Sequence, residues 1–346
     1  MVLSGAAGRC LGAGTGEQRY QAQFLQLFDT VTQIVGYGRT QEEFTLQAQM
    51  VQDKLQEYDQ LYDIYNDVPG INNLKTINDQ AGVAPVKVDK PIMDLLILSR
   101  EMYEQTGGKM NVAFGSVLSI WHDYRTAGAE DPQNAALPPM ELLKEASLHT
   151  DIHKMVLDQE ASTVYLADPE MKLDVGAIAK GYAVEQTAGY MMEQGIKSML
   201  ISVGGNVRAI GEKAVNEPWK VAIQDPNQEI QSGALFNMLL TDRSLVSSGD
   251  YQRYYVVDGK RYNHIIDPDT LMPADYFADV TILTLDSGLA DGYSTALYAM
   301  PLEEGRRLVE ETPGLEALWV FHDGSQVFSS GFKQLIDVNS MLDTDG

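Results

Sequence analysis

Apolar residues recur along the chain at two different spacings, and the two spacings alternate from segment to segment. Helical spacing is found in residues 40–65, 90–106 and 178–194, each of which is predicted to be an α-helix. Thr40 is suited to cap the first of these helices, because Glu43 follows three residues later as in a capping box. These helices stand between shorter apolar runs of a different kind.

The shorter runs predict strands, and most of them lie in the second half of the chain. The predicted strands are residues 24–36, 152–165 (as two short strands), 199–203, 219–223, 253–257, 261–266, 280–285, 318–321 and 326–329. The last two are expected to form a hairpin around Asp323–Gly324. Residues 69–77 and 123–139 are rich in Gly, Asn or Pro and are predicted to be loops. This order of elements predicts an α+β fold.

Composition and charge limit the function. The chain has 346 residues, 44% of them hydrophobic and 21% charged, as an ordinary globular protein does. Its net charge of −24 repels phosphate backbones, which argues against nucleic acid as a partner. The same charge repels any phosphate-bearing cofactor, which would need a cation or a local group of donors. Cys10 is the single cysteine, so no internal disulfide forms.

The N-terminal segment is not expected to belong to the fold. Residues 1–16 are rich in Gly and Ala, and they are too short and polar for a transmembrane helix. They are either the remnant of a secretory or lipoprotein leader ending near Cys10, or a cloning scar. Arg9 stands where a lipidation site has small residues, which favours the scar. We expect residues 1–22 to be disordered and residues 23–346 to form one domain.

Two glycine-containing segments are candidates for binding a cofactor. In residues 173–182 a strand end leads into a helix, where free N–H groups and the helix dipole favour an anion such as a pyrophosphate. Lys180 would add a positive charge, although a plain turn has the same pattern. The strand at 199–203 ends at Gly204–Gly205, which indicates either a close approach to a ring or, more simply, a β-bulge.

His264 is the candidate general base. It lies in an alternating strand, where a histidine usually has a structural role. Asp250 and Asp267 are near in sequence and could orient the imidazole as a base.

Asp291 and Thr295 are candidate metal ligands. They are four residues apart at the predicted start of a helix over residues 291–299, so their oxygens share one face. With a backbone carbonyl, these are the hard oxygen ligands that Mg²⁺ accepts. The alternative is that Asp291 merely caps the helix.

Five segments together resemble the motifs of the FAD:protein FMN transferase (ApbE) family, in the family's order. They are Leu173-Asp174-Val175-Gly176-Ala177-Ile178-Ala179-Lys180-Gly181-Tyr182-Ala183-Val184, Val203-Gly204-Gly205-Asn206-Val207-Arg208, Ser248-Gly249-Asp250-Tyr251, His264-Ile265-Ile266-Asp267-Pro268 and Ala290-Asp291-Gly292-Tyr293-Ser294-Thr295-Ala296-Leu297. The resemblance extends from about residue 24 to the C-terminus.

The resemblance implies a two-lobed α+β fold, with mixed or antiparallel sheets flanked by helices and a flavin cleft between the lobes. It implies that FAD is the substrate and that Mg²⁺ bridges its pyrophosphate, ligated by Asp291, Thr295 and the carbonyl of Ala177. His264 falls at the position of the base. The implied flavin contacts are Phe28, Asn111, Lys180, Gly204, Gly205, Ser248, Gly249, His264 and Ile265.

The implied reaction moves FMN from FAD onto a Thr or Ser of an acceptor protein that carries an Asp-Gly-Ala-(Thr/Ser)-type motif, and releases AMP. An FAD pyrophosphatase and a non-catalytic flavin-binding protein are the alternatives. The acceptors are membrane-associated, so an extracytoplasmic location with a lipidated N-terminal tether is expected.

Three positions depart from the family pattern. Phe28-Asp29-Thr30 replaces a Met-Gly-Thr element, and Asn111 replaces an Asp. Thr270-Leu271-Met272-Pro273 replaces Thr-Gly-x-Pro. These changes are expected to affect the flavin end of the site more than the metal end.

Overall fold

An eight-stranded antiparallel sheet runs through the middle of the molecule. The computed structural model describes residues 18–25, 27–226, 233–251 and 253–341. Within these ranges the strands are β1 (Gln18–Leu25), β2 (Val31–Gly38), β3 (Val86–Lys87), β4 (Met155–Asp158), β5 (Thr163–Leu166), β6 (Met199–Val203), β7 (Asn206–Ile210), β8 (Trp219–Gln224), β9 (Ala234–Leu240), β10 (Ser244–Gly249), β11 (Tyr254–Val257), β12 (Lys260–Asn263), β13 (Ile266–Asp267), β14 (Met272–Pro273), β15 (Asp279–Thr284), β16 (Glu316–Val320) and β17 (Gln326–Phe328). The central sheet has the order β1-β2-β6-β7-β10-β15-β16-β17.

The helices are interspersed among these strands. They are α1 (Gln41–Tyr62), α2 (Leu74–Asp79), α3 (Lys90–Gln105), α4 (Gly115–Glu130), α5 (Met140–Ser147), α6 (Ala179–Glu193), α7 (Ser287–Tyr298), α8 (Leu302–Glu311) and α9 (Val338–Met341). The predicted α+β class, with antiparallel sheets and helices, is confirmed.

Both faces of the central sheet are covered, because β7 and β15 are buried along their whole length. On one face, Ile201 and Ile282 pack in the large core that includes α1, α6 and α7. On the other face, Ala209 and Leu283 pack with Trp219 of the β8–β9 hairpin. Helices α6 and α7 therefore lie side by side on one face of the sheet, which places the N-terminal part of α6 next to α7.

Several sequence-based boundaries are wrong. The predicted strand 24–36 is two strands, β1 and β2, joined by a short 3₁₀ turn at Leu27–Asp29. Residues 18–22, expected to be disordered, belong to β1; residues 1–17 lie outside the described part of the chain. The predicted strand 261–266 breaks between β12 and β13.

Two predicted loops contain helices. α2 begins inside residues 69–77, because Asn73 forms a full capping box with Thr76. α4 covers residues 123–130 of the other predicted loop, and it buries Val117 and Trp121 while its later part stays polar. A helix with one face in solvent has few apolar residues. For this reason the composition of residues 123–130 led to their prediction as a loop.

Candidate functional site

The site is built where the start of α6 meets α7, and the contact requires glycine at position 181. A Cβ atom at Gly181 would lie 2.1 Å from the Ser287 carbonyl oxygen and 2.5 Å from Asp291 Cβ. The backbones of the two helices therefore approach each other more closely than any side chain allows. This glycine serves the contact between helices, whereas the sequence had indicated a close approach to a ligand.

Asp291 is buried against the first turn of α6, with 4% of its surface exposed. Its Oδ2 accepts a hydrogen bond of 2.8 Å from the backbone N–H of Gly181, and Lys180 Nζ lies 4.0 Å from the same oxygen. Asn206 also hydrogen-bonds this carboxylate. Burial raises the pKa of Asp291, and the charge of Lys180 opposes the rise. The carboxylate is held by donors from two distant segments.

Asp291 does not cap its helix, so the capping alternative is wrong. α7 begins at Ser287, and Asp286 is its cap, accepting a 2.9 Å hydrogen bond from the Leu289 N–H. Asp291 therefore lies in the second turn, with the half-buried Thr295 one turn further on the same face.

Gly181 is the third residue of α6, so its N–H is one of the first N–H groups of the helix, which have no partner within the helix. Here that N–H points to Asp291, and the first bond of the turn runs from Tyr182 N–H to the Ile178 carbonyl. The Ala177 carbonyl lies one residue before the Ile178 cap, and its role as a metal ligand stays a prediction.

The donor set is mixed and contains one carboxylate. Within the described ranges, no group of three or more His, Cys, Asp and Glu side chains could hold a metal ion. A site here would combine one carboxylate with a hydroxyl and a main-chain oxygen, and Mg²⁺ accepts such a set when waters and phosphates complete it.

Gly204 and Gly205 form a two-residue hairpin turn between β6 and β7, and the bulge interpretation is wrong. Val203 pairs with Asn206, and the two glycines have φ values of +54° and +92°, which only glycine adopts easily. A Cβ at Gly204 would lie 2.7 Å from Thr30 Oγ1. The turn thus packs on the segment before β2 and directs Asn206 towards α7.

Phe28 and Asp29 lie beside this turn in the left-handed region. Their φ values are +53° and +52°, and the Phe28 N–H donates a 2.8 Å hydrogen bond to Asp59 Oδ1. The family pattern has glycine at the position of Asp29, and the left-handed backbone conformation there favours glycine. Leu271, at the other position where glycine is expected, also has a positive φ of +60°.

Ser248 and Gly249 end β10 next to α7. Ser248 Oγ lies 2.8 Å from Ser294 Oγ, which donates a 2.8 Å hydrogen bond to the Asp291 carbonyl.

Asn111 lies in a loop, and both ends of its side-chain amide are hydrogen-bonded. Nδ2 donates to the Thr150 carbonyl and Oδ1 accepts from the Ala113 N–H. A flavin contact by Asn111 stays a prediction.

His264 lies at the break between β12 and β13 and is half-buried. Its Nδ1 is 3.2 Å from the Arg253 carbonyl, so Nδ1 carries the proton and Nε2 is the basic nitrogen. Burial is the main reason that the pKa of His264 is lowered to about 3. The positive charges of Arg125, Arg253 and Lys180 act in the same direction.

The carboxylates expected to orient His264 do not do so. Asp267 is buried in contacts with Lys109 Nζ at 2.7 Å and Tyr276 Oη at 3.2 Å. Asp250 lies 3.8 Å from the His322 ring. The main-chain oxygen of Arg253 has the orienting role instead. Ile265, the residue after His264, is buried, and its N–H donates a 2.9 Å hydrogen bond to Asn263 Oδ1.

Residues that the sequence did not single out complete the site. Asn206 contacts Asp291, while Arg125 and Arg253 contribute positive charge around His264. Asn206 directly follows the Gly204–Gly205 pair, and this position after a turn could have indicated that it belongs to the site. The arginines come from α4 and from the start of β11, and no local pattern connects them.

Comparison with known proteins identifies the family. The ApbE family model matches residues 28–319. A FAD:protein FMN transferase of Treponema pallidum is 36% identical over 77% of this chain and 75% of its own length. The crystal structure of an ApbE protein from Thermotoga maritima has a TM-score of 0.80 at 28% identity, covering 92% of this chain and all of that one. The flavin transferase ApbE from Vibrio cholerae has a TM-score of 0.76 at 25% identity, covering 92% and 99%. The chain belongs to the ApbE family.

Proposed function

We propose that this chain transfers the FMN half of FAD to a Thr or Ser hydroxyl of an acceptor protein. Family membership supports the proposal, as does the Treponema pallidum relative, whose name states this activity. The observation that carries it is the buried Asp291 carboxylate, held between Gly181 and Lys180 at the start of a helix. A helix N-terminus with an adjacent lysine attracts the pyrophosphate of FAD.

The chain's own residues account for the main steps. Lys180 holds the pyrophosphate, and Nε2 of His264 accepts the proton of the attacking hydroxyl. The hydroxyl oxygen forms a bond to the FMN phosphorus while the bond from that phosphorus to the bridging oxygen breaks. That oxygen leaves with AMP, and FMN stays on the acceptor as a phosphoester.

Asp291, Thr295 and the Ala177 carbonyl would hold Mg²⁺. When bound, the ion neutralises charge on the pyrophosphate and on the departing AMP. It also answers the repulsion between FAD and a protein with a net charge of −24.

The acceptor and the location belong to the proposal too. We take the acceptor to be a flavoprotein with an Asp-Gly-Ala-(Thr/Ser)-type motif. The extracytoplasmic, membrane-associated location and the lipidated tether stay predictions, since Cys10 lies outside the described residues. No helix in the described part of the chain is both long and apolar enough to cross a membrane.

The test is to incubate the protein with FAD, MgCl₂ and a peptide containing Asp-Gly-Ala-Thr, and to weigh the peptide. Addition of FMN to this peptide, with none on a Thr→Val peptide, is the expected result. AMP release at the same rate with either peptide, without FMN addition, would instead identify an FAD pyrophosphatase and refute the transfer.

The metal assignment is tested by Asp291→Asn, which keeps the shape of the side chain and removes its charge. Transfer should slow by ~100-fold or more, because a cation ligand is worth several kcal/mol in the transition state. Asp286→Asn is the matched control, since it changes the same kind of group on the same helix and Asn also caps. Equal rates for both variants, or full activity with the divalent ions chelated, would disprove the assignment.

A further inference from the structure

Two arginines line an open cavity of about 350 Å³ beside His264. Arg125 comes from α4 and Arg253 from the residue before β11, and Glu130 and Tyr254 lie on the same walls. Arg253 is exposed and Arg125 is half-buried, so the cavity is accessible from solvent. Arg253 links this cavity to the proposed base, because its carbonyl contacts His264.

Neither arginine has a carboxylate partner in the described ranges, where the arginines in ion pairs are Arg208 and Arg306. Glu130 lies on the cavity wall without pairing with either of them. Arg125 Nη2 instead contacts His122 Nδ1 at 3.0 Å. Burial lowers the pKa of Arg125 and the charge of Arg253 lowers it further, while Tyr65 and Asp174 act in the opposite direction without forming an ion pair. The two cations are therefore close enough to repel each other. An anion between them would relieve that repulsion.

The cavity is linked to His264 through Arg253. The Arg253 carbonyl orients the imidazole through the 3.2 Å contact to Nδ1, so one residue both fixes the base and lines the cavity. The charges of both arginines reach His264. A ligand held by the arginines would lie close to the hydroxyl that His264 deprotonates.

We propose that Arg125 and Arg253 bind an acidic side chain of the acceptor polypeptide and so position its hydroxyl at His264. This inference rests on the proposed function, because it requires a protein acceptor. The paired forks of the arginines suit a carboxylate. The protein has a net charge of −24, so most of its surface repels an acidic segment. The two arginines therefore determine where an acidic segment of the acceptor can bind. The FAD phosphates have their own cation in Lys180, beside Asp291.

The experiment compares two non-reactive peptides, Asp-Gly-Ala-Val and Asn-Gly-Ala-Val, each fluorescently labelled and titrated by anisotropy in the presence of FAD and MgCl₂. The wild-type protein should bind the Asp peptide about 5- to 20-fold more tightly, the range expected for a carboxylate shared by two arginines. KCl should reduce this preference. The comparison on the unaltered protein stands even if a variant folds poorly.

The variants are Arg125→Gln, Arg253→Gln and their combination, with Arg306→Gln as the control, an exposed arginine paired with Glu303 on α8. Each single change should reduce the preference for the Asp peptide about threefold to fivefold, and the double variant should abolish it. The control should keep it. With reactive peptides ending in Thr, the same changes should raise KM for the Asp peptide with little effect on kcat.

Two outcomes would overturn the inference. One is equal binding of both peptides by the wild-type protein, or an unchanged preference in the double variant. The other is a loss of FAD affinity in the double variant with the peptide preference kept, which would assign the arginines to the dinucleotide phosphates. The proposed function fails separately: a wild-type protein that prefers the Asp peptide through its arginines, yet adds no FMN to the Thr peptide, supports the docking site and refutes transfer.

Discussion

Replacing Gly181 with Ala should destabilise the protein and disturb the proposed metal site together. The new Cβ would lie 2.1 Å from the Ser287 carbonyl oxygen, where an ordinary contact begins at 3.4 Å, so one helix must move by more than 1 Å relative to the other. Such overpacking costs about 1–3 kcal/mol or more. Alanine regains up to about 1 kcal/mol in helix propensity, so we expect a net loss of about 1–2 kcal/mol in unfolding free energy.

Gly189→Ala on the same helix is the matched control. A Cβ at Gly189 meets no atom within 4 Å, so this variant should gain about 0.5–1 kcal/mol. Urea unfolding monitored by circular dichroism measures both values. The Gly181→Ala variant should also need more Mg²⁺ for transfer, since the N–H of residue 181 holds Asp291. If both variants gain stability equally, the close contact between α6 and α7 is wrong.

Two further predictions concern pH and backbone strain. His264 has a pKa of about 3 in the folded protein against 6.5 ordinarily, so the unfolded chain binds the extra proton between these values and stability falls as pH drops from 6.5 towards 3. The His264→Gln variant should therefore lose less stability than the wild type between pH 7 and pH 5. The difference should grow by up to ~1 kcal/mol for each pH unit below 6.5, the ordinary pKa of histidine. Equal losses of unfolding free energy in urea titrations of both proteins would contradict the lowered pKa. Asp29→Gly should raise the unfolding free energy by about 0.5–1 kcal/mol, because it removes left-handed strain at an exposed site. Leu271→Gly should lower it by about 1–3 kcal/mol, because Leu271 is 8% exposed and its burial outweighs the same relief; thermal melts in which both changes act alike would refute this distinction.

The elements that could be predicted from sequence are those with a long periodic pattern or a local turn signal. Residues 40–65 and 90–106 gave α1 and α3 nearly to their ends, and the Asp323–Gly324 hairpin forms as expected. The start of α7 was misplaced because Asp286, Ser287 and Gly288 follow the strand as the residues of a turn would. Asp286, which caps the helix, resembled a strand end.

The site could be predicted only where its residues fall in one motif. Asp291 and Thr295 share a helix face, and their spacing was enough to group them. What holds Asp291 comes from elsewhere: Gly181 from α6 and Asn206 from the β6–β7 turn. Likewise, the arginines beside His264 come from α4 and from the residue before β11. Such contacts depend on how the sheet orders its strands, and spacing along the chain does not contain that information.

The bond from Gly181 to Asp291 spans 110 residues, and this separation has a consequence for synthesis. A nascent chain exposes Lys180 and the start of α6 long before the ribosome adds α7, which follows β15, an inner strand of the sheet. An unfinished product therefore has the lysine without the carboxylate. The carboxylate that the proposed metal site requires is therefore absent until the chain has been completed through α7.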